Sequence, residues 1–177
     1  MINLKIALII LIVFGFVYGD AYSKNITYGD FLSTQSELPN FESYKTEILP
    51  FTPAKELKIS KKESGWIYRN TLRKAFNEDA NFSGHYIISS IGCGSPCQIN
   101  FILDKATGRV VDSFESSVGV LFNKDSNLII VNPSEGYEDT LLDEFPLWLE
   151  MSFYELSNNK LRLIKELKID STKKSEE

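Results

Sequence analysis

A chain of 177 residues is long enough to bury a core of its own and suits a single domain. Its hydrophobic share of 43% and charged share of 24% exclude wholesale disorder. A net charge of -5 with scattered Lys and Arg argues against nucleic acid as partner, because phosphate binding needs a concentrated basic surface.

The amino terminus reads as a secretory signal. Residues 1–5 make a short, weakly positive start, and residues 6–18 are an apolar run broken only by Gly15. That run is shorter than the roughly 20 residues needed to span a bilayer. Small residues allow cleavage after Gly19 or Ser23. Residues 1–23 are therefore set aside from the fold, with an uncleaved anchor as the alternative. The expected location is the periplasm or the exterior, with no membrane span after cleavage.

Residues 24–56 are mixed and polar, with irregularly spaced aromatics, and read as an extended or partly ordered leader. Pro50 and Pro53 break any helix ahead of Leu57-Lys58-Ile59, a candidate edge strand. Ser64 is a candidate N-cap for one helix over 66–78, where Tyr68, Leu72, Ala75 and Phe76 form a single apolar stripe. After Gly84 the period falls to two. Candidate strands run over 85–91, 98–103, 109–114, 118–122, 128–131, 147–156 and 161–169, separated by short polar turns. The fold expected over 57–170 is mainly β: an antiparallel meander of about seven strands, as an open sheet, sandwich or propeller-like unit, with one amphipathic helix before it. An α+β arrangement is the alternative. Residues 171–177 read as a charged tail.

Residues 81–112 concentrate the unusual chemistry: the single histidine, His85, both cysteines, Cys93 and Cys97, and four of the ten glycines. Two apolar runs flank Gly92-Cys93-Gly94-Ser95-Pro96-Cys97, which reads as a hairpin with a pinned tip. In an exported chain the two cysteines are expected to be bonded. A loop closed over three intervening residues gains only about 2 kcal/mol, so the effect of the bridge is local.

Asn81-Phe82-x-Gly84-His85-Tyr86, then Gly92-Cys93-Gly94-x-x-Cys97, then Asp104-x-x-Thr107-Gly108-x-Val110 resembles a family of small exported bacterial proteins without an assigned activity. The likeness spans about 57–132 and implies bacterial origin, export and a β-rich domain. It departs from such sequences at Ile91, where they often carry Trp. The Asp-x-x-Thr-Gly turn also looks like one blade edge of a propeller.

Three chemistries compete for these residues. A Cys-x-x-x-Cys pair with a histidine resembles the ligand set of Sco-type copper chaperones, making His85, Cys93 and Cys97 candidate metal or thiol-redox residues. Those proteins place their histidine far downstream. A hydrolase would need His85 paired with Ser89, Ser90 or Ser95 and a third orienting group, and there is no Gly-x-Ser-x-Gly elbow. The reading adopted is a non-catalytic binding or inhibitory module, with no cofactor and a protein or cell-envelope partner. Its expected contact patch is Gly92, Gly94, Ser95 and Pro96, with His85 and Tyr86 beside them. The acidic stretch from Glu135 to Glu144 fits no EF-hand and reads as a solvated loop.

Overall fold

The apolar runs of this chain place large side chains at successive positions, and these go to opposite faces of sheets that are covered on both sides. The computed structural model describes residues 26–169; the expected signal segment and charged tail lie outside them. A short helix α1 (Tyr28–Ser33) and the helix α2 (Arg69–Phe76) precede seven antiparallel strands. Strands β1 (Tyr86–Gly94), β2 (Cys97–Asp104) and β3 (Arg109–Ser116) form one sheet in sequence order. Strands β4 (Val120–Phe122), β5 (Leu128–Val131), β6 (Ser152–Ser157) and β7 (Lys160–Glu166) form the second, also in order. The expected meander of seven strands with a helix before it is the fold observed, as two sheets and not a closed barrel.

Period-two alternation sorts the core. Ile88 and Ile102 face Ile129, Val131 and Leu156 across the two sheets, with Phe82 among them. Their neighbours Ile87, Phe101 and Leu103 point the other way, under Leu72 and Phe76 of α2 and under Leu57 and Ile59. On the far side of the second sheet, Leu128, Met151 and Phe153 are covered by Phe31, Leu32, Leu38, Phe41 and Tyr44. Burying one such side chain contributes about 1.5–3 kcal/mol, so the four layers are held by the runs themselves.

Several local expectations change. Helical structure begins with a 3-10 turn (Ser64–Tyr68) that leads into α2, and Ser64 lies inside this turn instead of capping it. Gly65 explains the tight entry, since a Cβ there would sit 3.1 Å from Leu72 and 3.4 Å from the Phe101 ring. Leu57-Lys58-Ile59 makes only one parallel bridge, Lys58 to Arg109. The stretch expected as one strand over 147–156 divides into a 3-10 turn (Leu147–Leu149) and β6, and Asn132 Nδ2 donates to the Trp148 and Glu150 carbonyls at this break, each at 3.4 Å. Strand β7 stops at Glu166, although Leu167 and Ile169 beyond it are buried. The leader is ordered from Ile26: Thr27 and Asp30 form a reciprocal capping box on α1, and a 3-10 turn (Phe41–Tyr44) follows.

Tyr28 at the start of α1 is 1% exposed and stacks on Phe145 at 3.9 Å, and its hydroxyl has no hydrogen-bond partner. Burial, and secondarily the Glu150 charge, push its phenol up to about 12; a backbone group of Met151 pulls the other way without forming a well-aligned bond. A raised phenol pKa gives stability that is fully present below the unfolded value near 10 and is lost as pH climbs toward 12. Tyr28→Phe is therefore expected to leave stability at pH 7 unchanged or raise it by up to about 1 kcal/mol. It should also remove about 2 kcal/mol of the loss between pH 10 and 12. Denaturant unfolding at pH 7 and pH 11.5 checks both; a loss at pH 7 with an unchanged alkaline limb would contradict them.

Candidate functional site

The motif string divides into two structural ends of one hairpin. At the base, β1 is an edge strand, and the Asn81 side chain pairs with it as a neighbouring strand would. Its Nδ2 donates to the Ile88 carbonyl at 3.2 Å, and its Oδ1 accepts from the Ile88 N–H at 2.8 Å. Phe82 is fully buried between the sheets. Ser83 (φ 42°) and Gly84 (φ 79°) then turn the chain in the left-handed region. Their N–H groups donate to the Asn123 and Lys124 carbonyls at 3.3 and 2.6 Å, and the Ser83 hydroxyl bonds Asn127 Oδ1 at 2.5 Å.

Asp104 closes the same end. Its carboxylate is buried and accepts from the N–H groups of Ala106 and Thr107 at 2.8 and 3.3 Å and from the Thr107 hydroxyl at 2.5 Å. Gly108 (φ 70°) completes the turn and accepts the Lys58 N–H at 2.7 Å. A Cβ at Gly108 would collide with the Glu56 carbonyl oxygen and meet the Ala54 Cβ at 3.0 Å. The turn thereby fastens the segment around Leu57 to the sheet.

His85 belongs to this base. Its Nε2 is 3.5 Å from Asp104 Oδ1, and its ring lies 4.1 Å from Tyr86 and 5.5 Å from Phe51. The Tyr86 hydroxyl donates to Asn159 Oδ1 at 2.6 Å, tying the first sheet to the β6–β7 turn. Burial first, and the Asp104 charge second, raise the Tyr86 phenol above its ordinary value.

A polar neck lies further along the hairpin. Asn100 is fully buried; its Oδ1 accepts from Ser90 Oγ at 2.6 Å and its Nδ2 donates to Ser116 Oγ at 2.9 Å, joining three strands. The Ser116 hydroxyl reaches Gln98 Oε1 at 3.4 Å. A buried network with its donors and acceptors matched fixes register and stiffens what stands above it. Sequence reading missed Asn100; its only signal is a polar residue inside an apolar run.

At the far end, Cys93 and Cys97 form a disulfide with Cα atoms 5.1 Å apart, and neither thiol is free. Residues 92–96 are exposed. A Cβ built on Gly92 or Gly94 meets nothing within 4 Å. Gly94, opposite Cys97, adopts φ 136°, and the register slips there.

Two groupings expected from the sequence are not assembled. His85 and Tyr86 do not flank the tip, because β1 carries the chain away from them: Tyr86 pairs with Asp104 at one end and Gly94 with Cys97 at the other. At about 3.3 Å per residue, His85 and Cys93 are roughly 25 Å apart along the strand. The ligand set His85, Cys93 and Cys97 is thus split, and its two sulfurs are bonded to each other. Among the described residues no group of three His, Cys, Asp or Glu is placed to hold a metal. Of the candidate serines, Ser90 is committed to Asn100, Ser95 is on the tip, and Ser89 lies mid-strand opposite Phe101. The acidic loop is pinned to α1, since Tyr28 and Gly29 donate to the Thr140 and Glu138 carbonyls, each at 2.8 Å, and its carboxylates point to solvent. No helix of the described residues is long and apolar enough to cross a membrane.

The base and the tip respond oppositely to added bulk. Gly108→Ala is expected to cost about 2–4 kcal/mol from strained backbone and collision, and Gly92→Ala no more than about 0.5 kcal/mol. Denaturant unfolding of the two variants measures this, and similar losses would contradict the division. Comparison with protein-family models, with curated proteins and with solved structures finds no match to this chain, so any functional reading rests on its own geometry.

Proposed function

We propose that this protein is an exported, non-catalytic binding or inhibitory module that docks its pinned hairpin tip on a protein or cell-envelope partner. The observation that supports it is the contrast along one hairpin. Base and neck are held by hydrogen bonds and packing, whereas residues 92–96 of the tip are exposed beside a covalent clasp, with open space around Gly92 and Gly94.

A clasp over so short a loop adds only about 2 kcal/mol to the fold. Its larger consequence is that the loop is ordered before it meets a partner, which spares about 0.5–1.5 kcal/mol of ordering cost per side chain. The absence of side chains at Gly92 and Gly94 leaves the backbone around the bridge open to hydrogen bonding from outside. Export is supported by the apolar segment over 6–18 and by the paired cysteines, since disulfides persist in oxidising compartments.

The test places a photo-crosslinking residue at Ser95, or for comparison at Asn159 in the turn at the base, and exposes the oxidised mature protein to the native envelope fraction. A discrete adduct is expected from Ser95 alone, and it should fall at least about tenfold in a Cys93→Ser/Cys97→Ser background. That background should lose no more than about 2 kcal/mol of stability, measured by denaturant unfolding. Equal adducts from both positions, or full capture without the bridge, would overturn the reading.

A further inference from the structure

The net charge of -5 hides a strong segregation. From Ala54 to Phe76 the chain carries seven Lys and Arg against two Glu, whereas from Ser126 to Asn159 it carries seven acidic residues and no basic one. The basic segment covers the outer face of the first sheet, and two of its cations, Lys58 and Arg73, line an open groove of about 430 Å³ there.

Three cations from three elements line that groove: Lys58, Arg73 and Arg109. Leu57 and Ile59 are buried, so alternation turns Lys58 outward, and its parallel bridge to Arg109 sets those two side by side. Arg73 comes from α2, next to the buried Leu72. All three are exposed, and among the described residues none takes part in an ion pair or donates a side-chain hydrogen bond. Two carboxylates also line the groove. Glu63 already accepts the Ser60 N–H, and Glu56 pairs with none of the three.

A helix C-terminus favours cations, which accounts for Arg73 and its neighbour Lys74. It does not account for Lys58 or Arg109, which come from outside the helix. Two guanidinium forks and an ammonium over one concavity suit a group with several oxygens and more than one negative charge. We infer that this groove is an oxyanion site that takes a phosphate group, with Arg73 and Arg109 gripping its oxygens and Lys58 supplying the third charge. The phosphate comes from a soluble compound or from an anionic lipid headgroup.

The experiment uses the mature protein at low and physiological salt. One arm titrates inorganic phosphate and pyrophosphate and follows arginine side-chain NMR signals. The other measures co-sedimentation with phosphatidylcholine vesicles with and without phosphatidylglycerol. Arg73→Gln/Arg109→Gln removes two charges inside the groove, and Lys61→Gln/Lys62→Gln removes two outside it. Lys58→Gln serves as a second groove variant, and circular dichroism verifies that each variant is folded. Loss of roughly tenfold or more in the groove variants, with less than about threefold in the control, is the expected result. Saturable binding of the free anions identifies a soluble phosphate; binding confined to phosphatidylglycerol vesicles identifies the headgroup. No binding in either arm, or equal losses inside and outside the groove, overturns the site.

Discussion

Phe82, sealed between the two sheets, and the left-handed Ser83-Gly84 turn behind it decide where the first hairpin stands. The turn gives its amide protons to the loop entering β5, so the base of one sheet is fastened to the other. Asn81 completes the edge of β1 just beyond, and Asp104 closes the β2–β3 turn opposite. Replacing any of these groups would leave buried donors or acceptors unmatched, at about 1–3 kcal/mol each. Both candidate surfaces follow from this constraint. The tip projects because the base is held, and the groove exists because Gly108 lets the 56–60 segment lie against β3.

The hairpin has a gradient of commitment. Its base is packed on both faces, its neck is locked by Asn100, and its tip is exposed and covalently closed. Rigidity at the tip therefore does not come from the core. It comes from the neck beneath and the clasp above, which is the arrangement a docking element needs when its contact surface is small. The groove relies on different physics. Its three cations outnumber the two carboxylates beside them and take part in no ion pair among the described residues, which leaves them free to meet an opposite charge from outside.

The strands were legible because β-branched and aromatic runs alternate between turn residues, and neighbours in this sequence are neighbours in each sheet. The helix stripe was legible for the same reason, through Leu72 and Phe76. The division into two sheets was not, because it depends on the Asn132 side chain taking the Ser117 and Val118 amides at 2.7 and 3.3 Å. The capping box at Thr27 and Asp30 has a sequence signature, but a six-residue helix among irregularly spaced aromatics has too short an apolar stripe to stand out from an extended segment. His85 was placed beside the cysteines because they are close in sequence, yet a strand separates positions eight apart more than any other regular structure does. The groove is assembled from residues up to 53 positions apart, Glu56 to Arg109, and could not be read without the fold.

The central claim is that the tip is mechanically separate from the base and that the bridge orders the tip alone. Amide NMR spectra of the oxidised protein and of the protein after mild reduction test this most directly. The account predicts shifts confined to about 91–99, with the amides of Phe82, Gly84, Tyr86, Thr107 and Gly108 unmoved and slow to exchange in both states. Shifts or accelerated exchange reaching those base amides would show that the clasp supports the fold, and would contradict it.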